Sequence, residues 1–182
     1  MTIGAARAVA RFELSDDSHM ARLLLLVHGA GGRTARIEGL TKLVKLDFLL
    51  RYPPYFERAL QRLGYTVDGA RIEPFERQTI EATMIRFKYG PWDPRYRRWL
   101  ALLKARQLIT TDMKGRTLTI ALTESGRAAI ASLQQTDAFR TLALRATMLG
   151  KAAGHMSPSK IKDFIYEAFP EVTSLEWGEE IA

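Results

Sequence analysis

The chain has no cysteine among its 182 residues, which excludes disulfide bonds, thiolate metal sites and cysteine nucleophiles. Histidine is scarce, since only His19, His28 and His155 could supply an imidazole, and no metal-binding spacing such as His-Glu-x-x-His occurs. The Gly-Lys-Ser/Thr sequence of a phosphate-binding loop is also missing. The longest apolar run, Leu23 to Val27, is far shorter than the ~20 residues that a membrane span needs. We therefore expect a cytoplasmic protein without a membrane span, cofactor, metal or catalytic activity.

Positive charge predominates: 27 Lys and Arg residues stand against 20 Asp and Glu, a formal net charge of +7. The charge is concentrated in one segment. From Arg86 to Arg106 there are seven cations and a single acid, Asp93. Such a balance favours an anionic partner.

Capping residues and apolar spacing predict the elements of the first half of the chain. Ser15–Ser18 can cap a helix that runs to about His28 and stops in Gly29–Gly32. Further elements are a helix over about 37–51, a helix from Pro54 to Gly64 and a strand over 83–89 that Gly90-Pro91 ends.

The order helix, strand, basic turn, strand, helix over 93–134 is typical of a winged helix. Asp93-Pro94 is an N-cap signal, and the helix that follows extends to about Gln107. Lys114-Gly115-Arg116 is a tight turn between two short strands, and Thr123 caps the next helix. Two more helices are expected over about 139–151 and 157–170.

We therefore predict a mainly α (α+β) protein, a winged helix-turn-helix with a small β-wing and a C-terminal helical extension. The predicted divisions are a flexible N-terminal arm (1–18), a winged-helix core (19–135) and a helical extension with an acidic tail (136–182).

The helix that follows Pro94 is the element that a winged helix presents to DNA. Its cations flank small Ala101 and Ala105, and no Asn or Gln occupies its middle, so phosphate contact is favoured over base reading. The alternative is a merely solvated helix face. The predicted contacts to double-stranded DNA, weak and non-specific, are Arg86, Lys88, Arg95, Arg97, Arg98, Lys104, Arg106, Lys114 and Arg116.

The segment Leu23–Gly32 imitates a strand leading into the oxyanion-hole loop of an α/β-hydrolase. Such an enzyme also needs a Gly-x-Ser-x-Gly elbow, and Ser125, the nearest candidate, lacks both framing glycines. We therefore favour the alternative, a helix that ends in a glycine-rich turn.

Two further features are singled out. Asp47 falls on the apolar side of its helix, four residues before Arg51, which favours a structural ion pair over a functional role. The tail after residue 170 has four glutamates and no cation, so Leu175, Trp177 and Glu179 are predicted to dock a protein. The alternative for Trp177 is that it folds back onto the body.

The segment Leu40–Pro53, continuing to Phe56–Leu60, resembles the winged-helix middle components of bacterial three-component anti-phage systems such as Lamassu. The block Arg86–Trp92, with the helix and hairpin after it, is similar to many winged helices. The resemblance implies a non-catalytic adaptor that bridges an SMC-like or ABC-type ATPase and an effector subunit, and that touches DNA. A stand-alone transcriptional regulator, usually a homodimer on a palindrome, is the alternative.

Overall fold

A computed structural model describes residues 15–68, 70, 72, 76, 84–88 and 90–181. The helices are α1 (Asp16–Ala30), α2 (Leu40–Arg51), α3 (Pro53–Arg62), α4 (Tyr96–Ala105), α5 (Glu124–Leu133), α6 (Asp137–Ala153), α7 (Pro158–Ala168) and α8 (Pro170–Ser174). The strands are β1 (Arg36–Glu38), β2 (Met84–Phe87), β3 (Gly90–Trp92), β4 (Ile109–Lys114), β5 (Thr117–Leu122) and β6 (Glu180–Ile181). The predicted α+β class, mainly helical, is confirmed.

Two small antiparallel sheets flank the helices. The first has the order β1-β5-β4, with Ile37 opposite Ile120 and Ile109 opposite Leu122. A two-residue turn joins β4 to β5, and Gly115 takes the left-handed conformation there, with a φ of 61°. The second sheet has the order β3-β2-β6, so the end of the described chain pairs with β2.

Helix α1 lies at the centre of the core and packs against α2 and α6. Its contact with α6 depends on two glycines, because a Cβ on Gly150 would lie 2.0 Å from the carbonyl oxygen of Gly29. The two backbones therefore approach more closely than any side chain would allow. Residues of α6, α7 and α8 belong to the same hydrophobic cluster as α1 and α2, so the predicted extension and core share one interior.

The predicted first residues of helices are accurate where a capping side chain precedes the helix. Ser15, Thr123 and Ser157 each accept a hydrogen bond from the backbone N–H three residues later, at 3.2, 2.9 and 3.2 Å. Helix α1 begins at Asp16, inside the range predicted as an arm, and residues 1–14 lie outside the described residues.

Two predicted features differ from the structure. Residues 36–38 form β1 on the edge of β5 rather than the start of a helix, and Gly39, with a φ of 96°, separates β1 from α2. Strand β2 ends at Phe87, before Gly90, but Gly90-Pro91 belongs to a further strand, β3, which pairs with β2. The helix favoured for the segment that includes Leu23–Val27 is confirmed, because these residues lie inside α1. Within the described residues, no helix has both the length and the apolar character to cross a membrane.

Candidate nucleic-acid interface

Helix α4 is held with one face in the core and the other at the surface. The N-cap predicted at Asp93-Pro94 is wrong, because α4 begins at Tyr96 and Arg95 is its N-cap; the Asp93 carboxylate instead accepts a hydrogen bond from the backbone N–H of Arg95, just before the helix, at 2.9 Å. Tyr96, Trp99 and Leu103 are fully buried. After α4 the chain turns through Gln107, whose φ is 58°, directly into β4. The helix and the β4-β5 hairpin are therefore neighbouring surface elements.

Three of the predicted DNA contacts on or beside α4 are paired with carboxylates. Arg98 lies 2.6 Å from Asp16, Arg106 lies 2.9 Å from Asp17, and Arg95 lies 2.8 Å from Asp93. Asp16 and Asp17 belong to the first turn of α1, far away in sequence. The charge of this segment is thus smaller at the surface than the sequence count indicates.

Arg86 and Lys88 lie on or next to β2, in the second sheet, rather than on α4 or the hairpin. The Arg86 guanidinium donates to the carbonyl oxygens of Phe87 and Thr173 at 3.3 and 3.4 Å. It also lies 6.0 Å from the centre of the Trp177 ring. These contacts give Arg86 a structural role in the second sheet.

The four remaining predicted contacts are alike in being exposed and, in the part of the chain that the structure describes, without a carboxylate partner. Arg97 and Lys104 of α4 and Lys114 and Arg116 of the hairpin turn are exposed, and none has a carboxylate partner within the described residues. Arg97, Ala101 and Lys104 follow one helix face at spacings of four and three residues. We call these four cations the cationic face.

A buried ionic network holds α4 against α1 and α2. Arg22 donates two hydrogen bonds to Asp47, at 2.6 and 3.2 Å, and Arg51 donates to Asp47 at 3.3 Å and to Asp93 at 3.0 Å. The Tyr96 hydroxyl of α4 donates to Asp47 at 2.5 Å. The pair predicted from the spacing of Asp47 and Arg51 is therefore part of a larger network that joins three helices.

Burial alone would raise the pKa of Asp47, but Arg22 and Arg51 outweigh it and lower the pKa to about 2. His19 accepts from Arg22 at 2.9 Å through Nδ1, which places its proton on Nε2. Burial, with the positive charge of Arg22 next, lowers the pKa of His19 to about 3. The network therefore contains an ionised carboxylate and a neutral imidazole at neutral pH.

The predicted docking residues are placed differently from one another. Leu175 packs against the core, and the Glu179 carboxylate accepts a hydrogen bond from the backbone N–H of Glu176 at 2.8 Å. Trp177 is 67% exposed, and its ring lies 6.2 Å from that of Phe87, which is also exposed. The tail is thus anchored through β6, with an aromatic pair at the surface.

Within the described residues, no group of three His, Asp or Glu side chains is arranged to hold a metal ion. Comparison with known proteins finds no match to a family model, to a curated protein or to a solved structure.

Proposed function

We propose that the chain is a winged-helix adaptor whose cationic face contacts the phosphates of double-stranded DNA without catalysing a reaction. The order of its elements supports this proposal. Helix α1, β1, helix α2, helix α4 and the β4-β5 hairpin follow one another as in a winged helix, with residues 52–95 inserted between α2 and α4. Helix α4 then takes the place of the helix that such folds lay in the major groove.

The observation that carries the proposal is that Arg97, Lys104, Lys114 and Arg116 are exposed and unpaired within the described residues. Small Ala101 lies between the two helix cations, so a DNA backbone could approach α4 closely. The absence of amide side chains from the middle of α4 favours phosphate contact over base reading. Binding should therefore be weak, salt-dependent and largely independent of sequence.

The adaptor role rests on the resemblance of the segment 40–60 and on the exposed aromatic pair. Trp177 and Phe87 present apolar surface, the kind of anchor that protein interfaces use. The partner that the resemblance implies is an SMC-like or ABC-type ATPase, with an effector subunit beyond it.

The experiment is a fluorescence-anisotropy titration of duplex DNA over a range of salt concentrations. The variant with Gln at all four cationic-face positions should make the negative slope of log K against log[salt] shallower by about 2–4 units. Each DNA phosphate that the variant no longer neutralises accounts for ~0.9 of that change. The matched control replaces four exposed cations elsewhere, Arg33, Arg127, Lys151 and Lys160. Equal slopes for the two variants would show that the cationic face is only solvated.

The alternative function, a stand-alone transcriptional regulator, differs in oligomeric state. A regulator should be a stable dimer by itself and should prefer one palindromic sequence. The adaptor should be monomeric at micromolar concentration in light scattering and should bind unrelated duplexes equally.

A further inference from the structure

A pocket of about 220 Å³ opens between α2, the β2-β3 hairpin and the start of α4. Thr41, Val44 and Lys45 form one side of it, at helical spacings of three and one residues within the first two turns of α2. That position is close to the positive end of the helix dipole, which favours a negative charge. The opposite side and the rim are formed by Phe87, Gly90, Pro91, Trp92 and Arg97.

Lys45 is the unusual residue of this pocket, because its side chain is only 2% exposed. Its ammonium donates one hydrogen bond, to the carbonyl oxygen of Pro91 at 3.0 Å. No carboxylate pairs with it in the part of the chain that the structure describes. An ammonium has three donors, so this buried cation has the capacity to bind an anion.

Gly90 keeps space open beside the ammonium. A Cβ at this position would lie 3.5 Å from Lys45 Nζ and 3.1 Å from a ring carbon of Tyr166. Gly90 also has a φ of 85°, which other residues rarely adopt. The hairpin therefore passes the pocket without placing a side chain against the cation.

The walls determine what else the ligand must carry. Trp92 and Phe87 lie with their ring centres 6.4 Å apart, and Val44 and Pro91 add apolar surface. Arg97 contributes a second positive charge. At about 220 Å³ the pocket is smaller than the ~300–1,000 Å³ of sites for drug-sized ligands, so it suits a single ring.

We propose that this pocket binds a small aromatic carboxylate, with the ring packed against Phe87 and Trp92 and the carboxylate between Lys45 and Arg97. Each part of the ligand has a counterpart in the wall: two cations for the charge and two aromatic rings for the ring. The proposal shares Arg97 with the cationic face but rests on Lys45 and the pocket walls rather than on the contact with DNA.

The test uses 4-fluorobenzoate as the probe and 4-fluorobenzamide as its neutral counterpart of the same shape. Binding to the full chain is followed by the fluorine chemical shift and by the amide and indole signals of Trp92. The benzoate should give a saturable shift in the millimolar range or better, and the benzamide should bind at least about tenfold more weakly, because it cannot make charge-assisted hydrogen bonds.

Lys45→Met keeps the length of the side chain and removes the charge, so it should weaken benzoate binding at least about tenfold. Removal of the buried charge is favourable and loss of the hydrogen bond to the Pro91 carbonyl is unfavourable, so the melting temperature should change by only a few degrees. Arg97→Gln should weaken binding severalfold, whereas Lys104→Gln on the same helix, outside the pocket, should not change it.

Four results would overturn the proposal. They are equal binding of benzamide and benzoate, unchanged affinity in Lys45→Met, equal affinities in Arg97→Gln and Lys104→Gln, and no saturable shift at millimolar concentration.

Discussion

Replacing Asp47 with Asn tests whether the buried ionic network holds α4 in place. The Asp47 side chain has no exposed surface and neutralises two arginines, Arg22 and Arg51. Asparagine keeps the shape, and its one oxygen can still accept from Tyr96, but its NH2 group replaces the oxygen that accepted from Arg22 Nε, so the change removes the charge and one acceptor. Arg51 keeps Asp93 at 3.0 Å as a partner, but Arg22 would lose its carboxylate.

Breaking a buried ion pair by removing one partner costs about 3–5 kcal/mol. For a chain of this size each kcal/mol shifts the melting temperature by about 2–4 °C, so we expect a fall of roughly 6–20 °C. The assay is thermal unfolding followed by circular dichroism at pH 7. The control is Glu38→Gln, which breaks the exposed ion pair with Arg36 and should lower the free energy of unfolding by at most ~1 kcal/mol.

The dependence on pH gives a second check. The pKa of Asp47 is lowered from 3.8 to about 2 in the folded state, so its stabilising contribution is complete above about pH 4 and is lost as the pH falls towards 2. The stabilities of wild type and Asp47→Asn should therefore converge in that range. Below pH 6.5 both proteins also lose stability through His19, whose pKa of about 3 keeps it neutral when folded. A variant as stable as the wild type at pH 7 would refute the reasoning.

Three further predictions concern other parts of the molecule. Gly150→Ala should lower the free energy of unfolding by about 1–3 kcal/mol, because its Cβ would lie 2.0 Å from the Gly29 oxygen. An unchanged melting curve would contradict this close approach. Trp177→Ala should leave the melting temperature nearly unchanged, since the ring is 67% exposed, but should weaken co-purification with the proposed ATPase partner. Intact assembly would remove Trp177 from the proposed interface. Binding of 4-fluorobenzoate should weaken as the pH rises from about 6 to about 9. Burial lowers the pKa of Lys45 to about 7, and the neutral amine binds no anion, so the affinity should fall by up to ~10-fold per pH unit above pH 7. Lys45→Met, which keeps Arg97 and Tyr166, should show a flat profile over the same range.

Local signals in the sequence are sufficient to predict α4, the β4-β5 hairpin and α5. Thr123 caps α5 with its own side chain, Asp93 forms a local turn just before α4, and the alternation of apolar residues in the hairpin depends only on neighbouring positions. Two short strands escape prediction for the opposite reason. Strand β1 has three residues and β6 has two, and each is stabilised by a partner distant in the chain.

The sequence identifies the cations of the candidate interface but not their partners. The pairing of Arg98 with Asp16 and of Arg106 with Asp17 depends on how α1 packs against α4, which no local pattern reveals. Lys45 is not among the predicted site residues, although one signal for it is present. A helix that is apolar nearly all round must bury some of its polar residues, and Lys45 stands between Val44 and Leu46 in α2.

The most direct test of the central claim, that α4 meets DNA, uses the absence of cysteine from the chain. Ala101→Cys places a single small thiol between Arg97 and Lys104 on the exposed side of α4, and Ser159→Cys places one on exposed α7 as the control. The rate of alkylation by iodoacetamide is measured with and without saturating duplex DNA at low salt. The account predicts that DNA slows the reaction severalfold at position 101 and leaves it unchanged at position 159. Equal rates with and without DNA at position 101, under conditions where the DNA is bound, would contradict it.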